Sequence, residues 1–287
     1  MPKFDVVVGN PPYLRGLHLK FLELAYAVSK KNIIFIQPAT WILTETPSCL
    51  KTKNLIVNKV KSVTFLNGNP EFGIIMASPL SIICIDKDSE SNDININDPI
   101  NNINYSVNDI NLVNKWGDIK IYPNLKNKMG KISLRKNLGN ISERHKYNSK
   151  YYIVISMVRG NTDFKTPNKL VKSDFYTLIG KSDKIKTCLD EKNLKSKRQN
   201  LYGFDSLAEA QNCFHFLKTK WARFGLSINK FDKALQRSEV KYIPWLDWSE
   251  PWSEERFEKL IDATPEEIEF VKKNIPDYYG IESINTK

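Results

Sequence analysis

The first strand of this chain constrains its fold more than any other segment. Phe4–Gly9 (Phe-Asp-Val-Val-Val-Gly) is an apolar run with a single acid, and it leads straight into Asn10-Pro11-Pro12-Tyr13. A half-exposed strand would alternate, so this run predicts a buried parallel strand covered on both faces. Each of the two prolines fixes φ and lacks an N–H, so the chain must turn and its carbonyls are held in direction. Leu17–Ser29 then places Leu17, Phe21, Leu24, Ala25 and Val28 at helical spacing. Asn32–Gln37 predicts a second buried strand ended by Pro38, and Ala39–Leu43 a loop or short helix. Leu50–Val60 predicts a helix and Val63–Leu66 a strand. Phe72–Met76 and Pro79–Asp86 read as an antiparallel pair with Ser78-Pro79 at the turn. Residues 87–114, rich in Asp, Asn and Ser, read as a surface linker. Strand–helix–strand–helix closed by a hairpin is the order of an α/β sheet.

The pattern changes at Lys115, where short mixed segments begin. Tyr151–Val158 and Phe175–Gly180 predict strands. Ser206–Ser227 predicts one long helix, with Ser206 as N-cap and Glu209 at the capping-box position. The aromatic stripe of Phe214–Phe224 reads mostly as core. Further on, Ser253-Glu254-Glu255 and Thr264-Pro265-Glu266-Glu267 each mark a helix start with acids in the first turn. Trp245, Trp248 and Trp252 would pin this tail to the body of the protein. The domains read as 1–114, 115–241 and 242–287.

Charge is divided at the same boundaries. Residues 1–114 carry 10 Lys+Arg and 10 Asp+Glu; residues 115–241 carry 28 against 11; residues 242–287 carry 5 against 11. A middle segment this basic suits a polyanion, since counterions released from phosphates drive association; a solvated lysine-rich surface is the alternative. Within it, Arg144, Lys146 and Lys150 interleave with Tyr147, Tyr151 and Tyr152, a mixture fitted to phosphates and bases. Lys195, Lys197 and Arg198 stand in the run Lys192–Arg198. Strand core and solvated loop are the respective alternatives for these two stretches.

Cys49, Cys84, Cys188 and Cys213 are far apart with no CxxC pair, and His18, His145 and His215 are the only histidines. That argues for reduced thiols in a soluble cytoplasmic protein, and against a zinc hydrolase, a zinc deaminase or a Ser-His-Asp site. No metal site is expected. No apolar run approaches a membrane span of about 20 residues.

The Asn-Pro-Pro-Tyr turn suits one chemistry in particular. An exocyclic amino nitrogen such as N6 of adenine is a poor nucleophile because its lone pair is delocalised into the ring. Accepting hydrogen bonds from both of its protons frees that lone pair; the Asn10 side-chain oxygen and the Pro11 carbonyl can do so, with Pro12 keeping the turn rigid. Tyr13 offers a flat face for an extruded base. A merely rigid surface turn is the alternative.

Phe4–Tyr13 resembles motif IV of the N6-adenine DNA methyltransferases. Ile33–Leu43 is similar to that family's strand ending in Pro-x-x-Trp/Phe, and Glu71–Lys87 to its motif VIII hairpin, with Phe72 at the position that stacks on the second face of the flipped base. For Phe72 an ordinary core position is the alternative. Tyr242 to about Ile275 looks like the end of the Eco57I-type restriction-modification methylases. The resemblance implies a partial Rossmann-like methyltransferase sheet, its second half, followed by a basic mixed α/β target-recognition domain. It implies S-adenosylmethionine as cofactor, with Asn10 at the edge of the cofactor site, and double-stranded DNA as partner, in a restriction-modification or phage system.

One departure matters. The family holds the cofactor in a glycine-rich turn ahead of the Asn-Pro-Pro-Tyr strand, and only three residues precede that strand here. Leu178-Ile-Gly180-Lys-Ser and Leu201-Tyr-Gly203-Phe-Asp205 each hold a single glycine and do not rebuild it. The expectation is therefore a partner chain supplying the cofactor-binding half, or a homodimer, with Val6–Val8 left as an exposed apolar edge. A non-catalytic DNA-binding remnant or specificity subunit is the second reading. Methylation of RNA or of a protein glutamine, which uses the same tetrapeptide, is the third.

Overall fold

The computed structural model describes residues 3–67, 72, 79–89, 93–132, 151–157, 174–180, 200–228, 242–275, 277–278 and 281–285. They fall into two compact units, the first built on residues 1–120 and the second on the described residues from Ile121 onward.

The first unit is a six-stranded mixed sheet with helices, so the α/β class read from the sequence holds. Its elements are β1 (Phe4–Gly9), α1 (Leu17–Val28), β2 (Ser29–Pro38), α2 (Thr40–Leu43), α3 (Pro47–Ile56), β3 (Val60–Leu66), β4 (Leu80–Asp86), β5 (Ile94–Asp98) and β6 (Ile103–Val107). The spatial order is β1-β2-β4-β3-β5-β6. β1 and β2 are parallel, joined through α1, as a βαβ unit requires. β4 runs antiparallel to both of its neighbours: Ile83 faces Phe35 on β2 and Val63 on β3.

Three expectations change here. β4 has β2 on one edge and β3 on the other, so no edge remains for a strand over Phe72–Met76; the hairpin is β3–β4. The backbone at Phe72 is helical, and residues 73–76 lie outside the described set. Residues 87–114 are not a linker. Ile94 and Ile96 alternate with Asn95 and Asn97, the period of a strand with one buried face, and β5 and β6 extend the sheet. The Asp98 carboxylate closes their hairpin by accepting from the Ile100 and Asn101 N–H groups.

The third change concerns coverage. Val7, Ile33, Phe35, Val63, Phe65, Ile83, Ile85, Ile94 and Ile96 pack with Leu19, Leu22, Ala25, Trp41, Ile42 and Ile56 into one core. The residues between them lie on the other face, where Ile34, Ile36, Ile82 and Cys84 are only partly buried. β1 is the edge strand, with Val6 49% and Val8 70% exposed. The run read as covered on both faces is thus covered on one.

Lys87 fastens this frame. Its ammonium donates to the Tyr26 and Ser29 carbonyls at 2.9 Å each and lies 4.5 Å from the Tyr26 ring centre. A cation there satisfies carbonyls that the end of α1 would leave unpaired.

The second unit pairs β7 (Tyr151–Met157), β8 (Asp174–Gly180), β9 (Asn200–Phe204) and β10 (Ile281–Asn285) in the order β10-β8-β7-β9. The two single-glycine stretches therefore sit in strands: Gly180 ends β8 and Gly203 pairs with Tyr152 inside β9. β10 shows that the acidic tail is not wholly helical.

The helices are α4 (Ile121–Ile132), α5 (Leu207–Leu217), α6 (Lys220–Ile228), α7 (Glu254–Leu260) and α8 (Pro265–Asn274). The single long helix is two. Thr219 breaks it, donating to the Phe216 carbonyl at 2.7 Å and accepting from the Ala222 N–H at 3.3 Å. Ser206 is the N-cap of α5 but makes no side-chain cap bond, so that capping box is not formed. The Thr264–Glu267 capping box is.

Phe214, Phe216, Trp221, Phe224 and Phe257 are fully buried, as the stripe suggested. Trp248 packs on Phe216 with ring centres 5.6 Å apart, and Trp245 stacks on Phe204 at 5.7 Å, so these two anchor the tail. Trp252 instead donates to the Asp247 carbonyl within the tail itself. Cys49, Cys84 and Cys213 are free thiols; Cys188 lies outside the described residues.

Ile83→Ala removes a fully buried side chain at the middle of the central strand, and should cost about 2–5 kcal/mol in urea unfolding. Thr264→Ala should cost about 1 kcal/mol by loss of the cap.

Candidate functional site

The carboxyl ends of parallel strands are where open α/β sheets place ligands, and β1 ends at Asn10. Parallel register puts Gly9 beside Phe35. A Cβ at Gly9 would come within 3.1 Å of the Phe35 ring, so the absence of a side chain lets the two strands and the ring pack closely. Beyond Gly9, Asn10 is exposed, Pro11 buried, Pro12 exposed and Tyr13 half-buried.

A cavity of about 330 Å³ opens beside the turn. Its wall is Val7, Val8, Gly9, Asn10, Pro11 and Pro12 on one side, with Phe21, Leu24, Ala25, Val28 and Phe35 on the other. That volume sits at the small end of ligand pockets. Asn10 brings the one polar side chain to a wall otherwise apolar.

The Tyr13 hydroxyl donates to Asn10 Oδ1 at 2.5 Å and stands 3.4 Å from the Ile36 carbonyl oxygen. Burial pushes the Tyr13 phenol above its ordinary pKa, so it remains a donor. Because Oδ1 has two lone pairs, one stays available to an incoming N–H. The turn thus presents a carboxamide oxygen already fixed in direction, next to two proline-held backbone positions.

Below the turn, a short 3-10 turn (Leu14–Gly16) ends at Gly16, whose left-handed φ of 76° starts α1. His18 comes next, in the first turn of α1, and is buried, with its ring edge-on to Tyr13 at 6.5 Å. Desolvation holds the imidazole below its ordinary pKa, partly opposed by the nearby Tyr13 backbone. The positive end of α1 works in the same direction as desolvation.

The other sequence candidates separate from this site. Phe72 is 42% exposed and is not part of the cavity wall. Arg144, Lys146, Lys150, Lys195, Lys197 and Arg198 lie outside the described residues. Sequence reasoning missed His18 as a site residue, together with Phe21, Leu24 and Phe35 as cavity wall. His18 stands five residues past Tyr13, in the first turn of α1, near the turn but not on the cavity wall.

The described residues do not fit S-adenosylmethionine. No carboxylate lines the cavity that could hold a ribose, and among the described glycines only Gly16 and Gly117 have positive φ, neither in a glycine-rich strand-to-helix turn. Among the described residues no cluster of His, Cys, Asp and Glu could hold a metal ion, and no helix is long and apolar enough to cross a membrane.

No protein-family model and no curated protein matches the chain. Solved structures do. The chain is similar to a type I restriction-modification system methyltransferase subunit from Streptococcus thermophilus, at 17% identity and a TM-score of 0.26, over 33% of this chain and 26% of that one. It is similar to a protein of Listeria monocytogenes assigned to the class I S-adenosylmethionine-dependent methyltransferases, at 17% identity and a TM-score of 0.25, over 31% and 33%. It is similar to the type IIG restriction endonuclease BpuSI at 10% identity and a TM-score of 0.34, over 94% of this chain and 49% of that one. The chain thus spans between a quarter and a half of these proteins' own length.

The His18 environment fixes a sign for pH dependence. Its folded pKa lies below the ordinary value, so the unfolded chain takes up the proton first as pH falls. His18 contributes no penalty above its unfolded pKa of about 6.5, and a growing one as pH drops from there through the folded pKa. Urea titrations across that window should show stability falling, with a shallower slope in His18→Gln.

Proposed function

We propose that this chain carries the acceptor site of an adenine-N6 DNA methyltransferase. One observation carries the reading: a fixed carboxamide oxygen on a proline-stiffened turn, at the carboxyl end of a parallel strand, beside an open cavity. A flipped adenine gives one N6 proton to Asn10 Oδ1 and the other to the Pro11 carbonyl. Both bonds pull the nitrogen toward a tetrahedral shape and localise its lone pair for attack. No proton has to leave before that attack, so no group of unusual pKa is needed. Tyr13 offers one face for the base to stack on, and Phe72, outside the cavity wall, is the candidate for the other only if it moves toward the turn when the base enters. S-adenosylmethionine would supply the electrophilic methyl group and leave as S-adenosylhomocysteine, the attacked N6 giving up one proton to water. The described residues alone do not fit that cofactor.

The uncovered sheet face supports the same division of labour. Val6 and Val8 at the edge, with Ile34 beside them, are apolar groups in water, and the outer edge of β1 offers unpaired N–H and C=O groups. A partner chain adding strands to β1, or a second copy of this chain, would cover both. The basic stretch 115–241, holding Arg144, Lys146, Lys150, Lys195, Lys197 and Arg198, binds the DNA backbone. In the second reading the chain binds DNA without methylating it, as a specificity subunit.

Methylation of double-stranded DNA from labelled S-adenosylmethionine, with the partner gene product present, tests the main reading. Asn10→Ala should lower kcat by on the order of 100-fold while DNA binding persists. Binding without methyl transfer in the wild type would favour the specificity subunit. Light scattering should find the chain alone above monomer mass, and Val6→Lys/Val8→Lys should return it to monomer. A monomeric wild type would remove the case for a covered face.

A further inference from the structure

The outer edge of β1 is flanked by apolar side chains on both faces of the sheet. Val6 and Val8 are exposed beside it. On the helix side, the groove of about 330 Å³ runs between Val7 and the α1 side chains Phe21, Leu24 and Val28. Phe21 is 43% and Leu24 48% exposed, although each stands beside a core residue, Leu22 or Ala25. Their spacing makes one continuous apolar stripe along the helix. The edge carries few of the devices that keep strands apart: it has no internal proline, and its single charge, Asp5, lies near the amino end, 3.5 Å from Lys30.

We propose that this edge is the two-fold interface of a homodimer, in which β1 pairs antiparallel with β1 of a second copy in a register centred on Val7. A two-fold contact uses the same patch on both copies. Opposed residues of an antiparallel pair are either both hydrogen-bonded or both not, so the axis must pass through a residue. In Phe4–Gly9 the central residues are Val6 and Val7. An axis at Val6 sets the Asp5 carboxylate against Val7 of the other copy. An axis at Val7 sets Val7 against itself, Val6 against Val8, and Asp5 against Gly9, which has no side chain. Valines then meet only valines, a favourable cross-strand set. Pairing stops after Gly9 because Pro11 and Pro12 have no N–H to offer. The helices agree with the strands. Strands lie about 4.8 Å apart, so two α1 helices, each over its own β1–β2 pair, come out two spacings apart. That is about 10 Å, the distance between packed helices, and Phe21, Leu24 and Val28 are the side chains that fill the seam. Charge permits the approach: the whole chain is net +11, but residues 1–114 carry 10 Lys+Arg and 10 Asp+Glu, so two copies meet here without net repulsion. A second copy is favoured over a strand of another protein because the edge supplies its own complement.

The inference commits the covered edge proposed above to one occupant. Its readouts use neither DNA nor methyl transfer, so it and the acceptor-site reading fail separately. Opposed residues in such a pair have Cα atoms about 4.5–5.5 Å apart, within reach of a disulfide. The full-length chain is oxidised mildly and run on non-reducing gels, with the wild type as control for the native cysteines. Val7→Cys should form a covalent dimer. Val6→Cys and Val8→Cys should each form little alone and a mixed dimer when combined, read with copies of different mass. Phe21→Glu, on the helix seam, should weaken the dimer at least about 10-fold in light scattering, with urea unfolding confirming that it is folded. A wild type that is monomeric at tens of micromolar would overturn the proposal and leave a different chain as the occupant. Val6→Cys joining to itself more readily than Val7→Cys would overturn the register. A dimer that none of these variants links or weakens would place the contact elsewhere on the protein, and would equally overturn it.

Discussion

Everything at the candidate site hangs from the parallel pairing of β1 with β2. Five register pairs from Phe4↔Ser29 to Gly9↔Phe35 fix the strand whose end carries Asn10 within the sheet. β1 has no neighbour on its other side within the sheet. Direction is preserved past the last pair only because two prolines remove the torsional freedom a turn would otherwise have. The close approach of Gly9 to Phe35 adds a steric stop. The site is therefore rigid toward β2 and open away from it.

That asymmetry divides the work chemically. The rigid side supplies hydrogen-bond acceptors: an amide oxygen and proline-held carbonyls. Acceptors can activate an amino group but cannot provide a carbon to be attacked. The open side, with a cavity lined by Val8, Phe21 and Leu24, has almost no polar groups of its own. The division comes from which atoms line which wall.

The sequence showed the strand-and-turn at the start because its signals are strong and local. Apolar continuity marked β1, Pro-Pro marked its end, and a 3.6-residue period marked α1. It was right about Thr264 and Glu267, where cap and box lie within one turn. Failures came where a local signal competed with a partner distant in sequence. Asn and Asp around Ile94 and Ile96 suggested a loop, yet β3 was waiting to pair with them. Phe72–Met76 looked like a strand, but both edges of β4 were already taken by β2 and β3. Periodicity could not see that Thr219 would turn its hydroxyl to Phe216 and split one helix into two.

The two faces of the first sheet also imply two different rules for sequence change. On the helix-covered face, each of Ile33, Phe35, Ile83 and Ile85 is confined by its neighbours in shape, so volume is the selected quantity and polarity is forbidden. On the other face, Ile34 and Val8 meet water, and the chain by itself would gain solubility from a lysine or threonine at either position. Under the proposed pairing of β1 with a further strand, that preference would reverse, and the residue that costs solubility in the lone chain would be the one that fits the assembly.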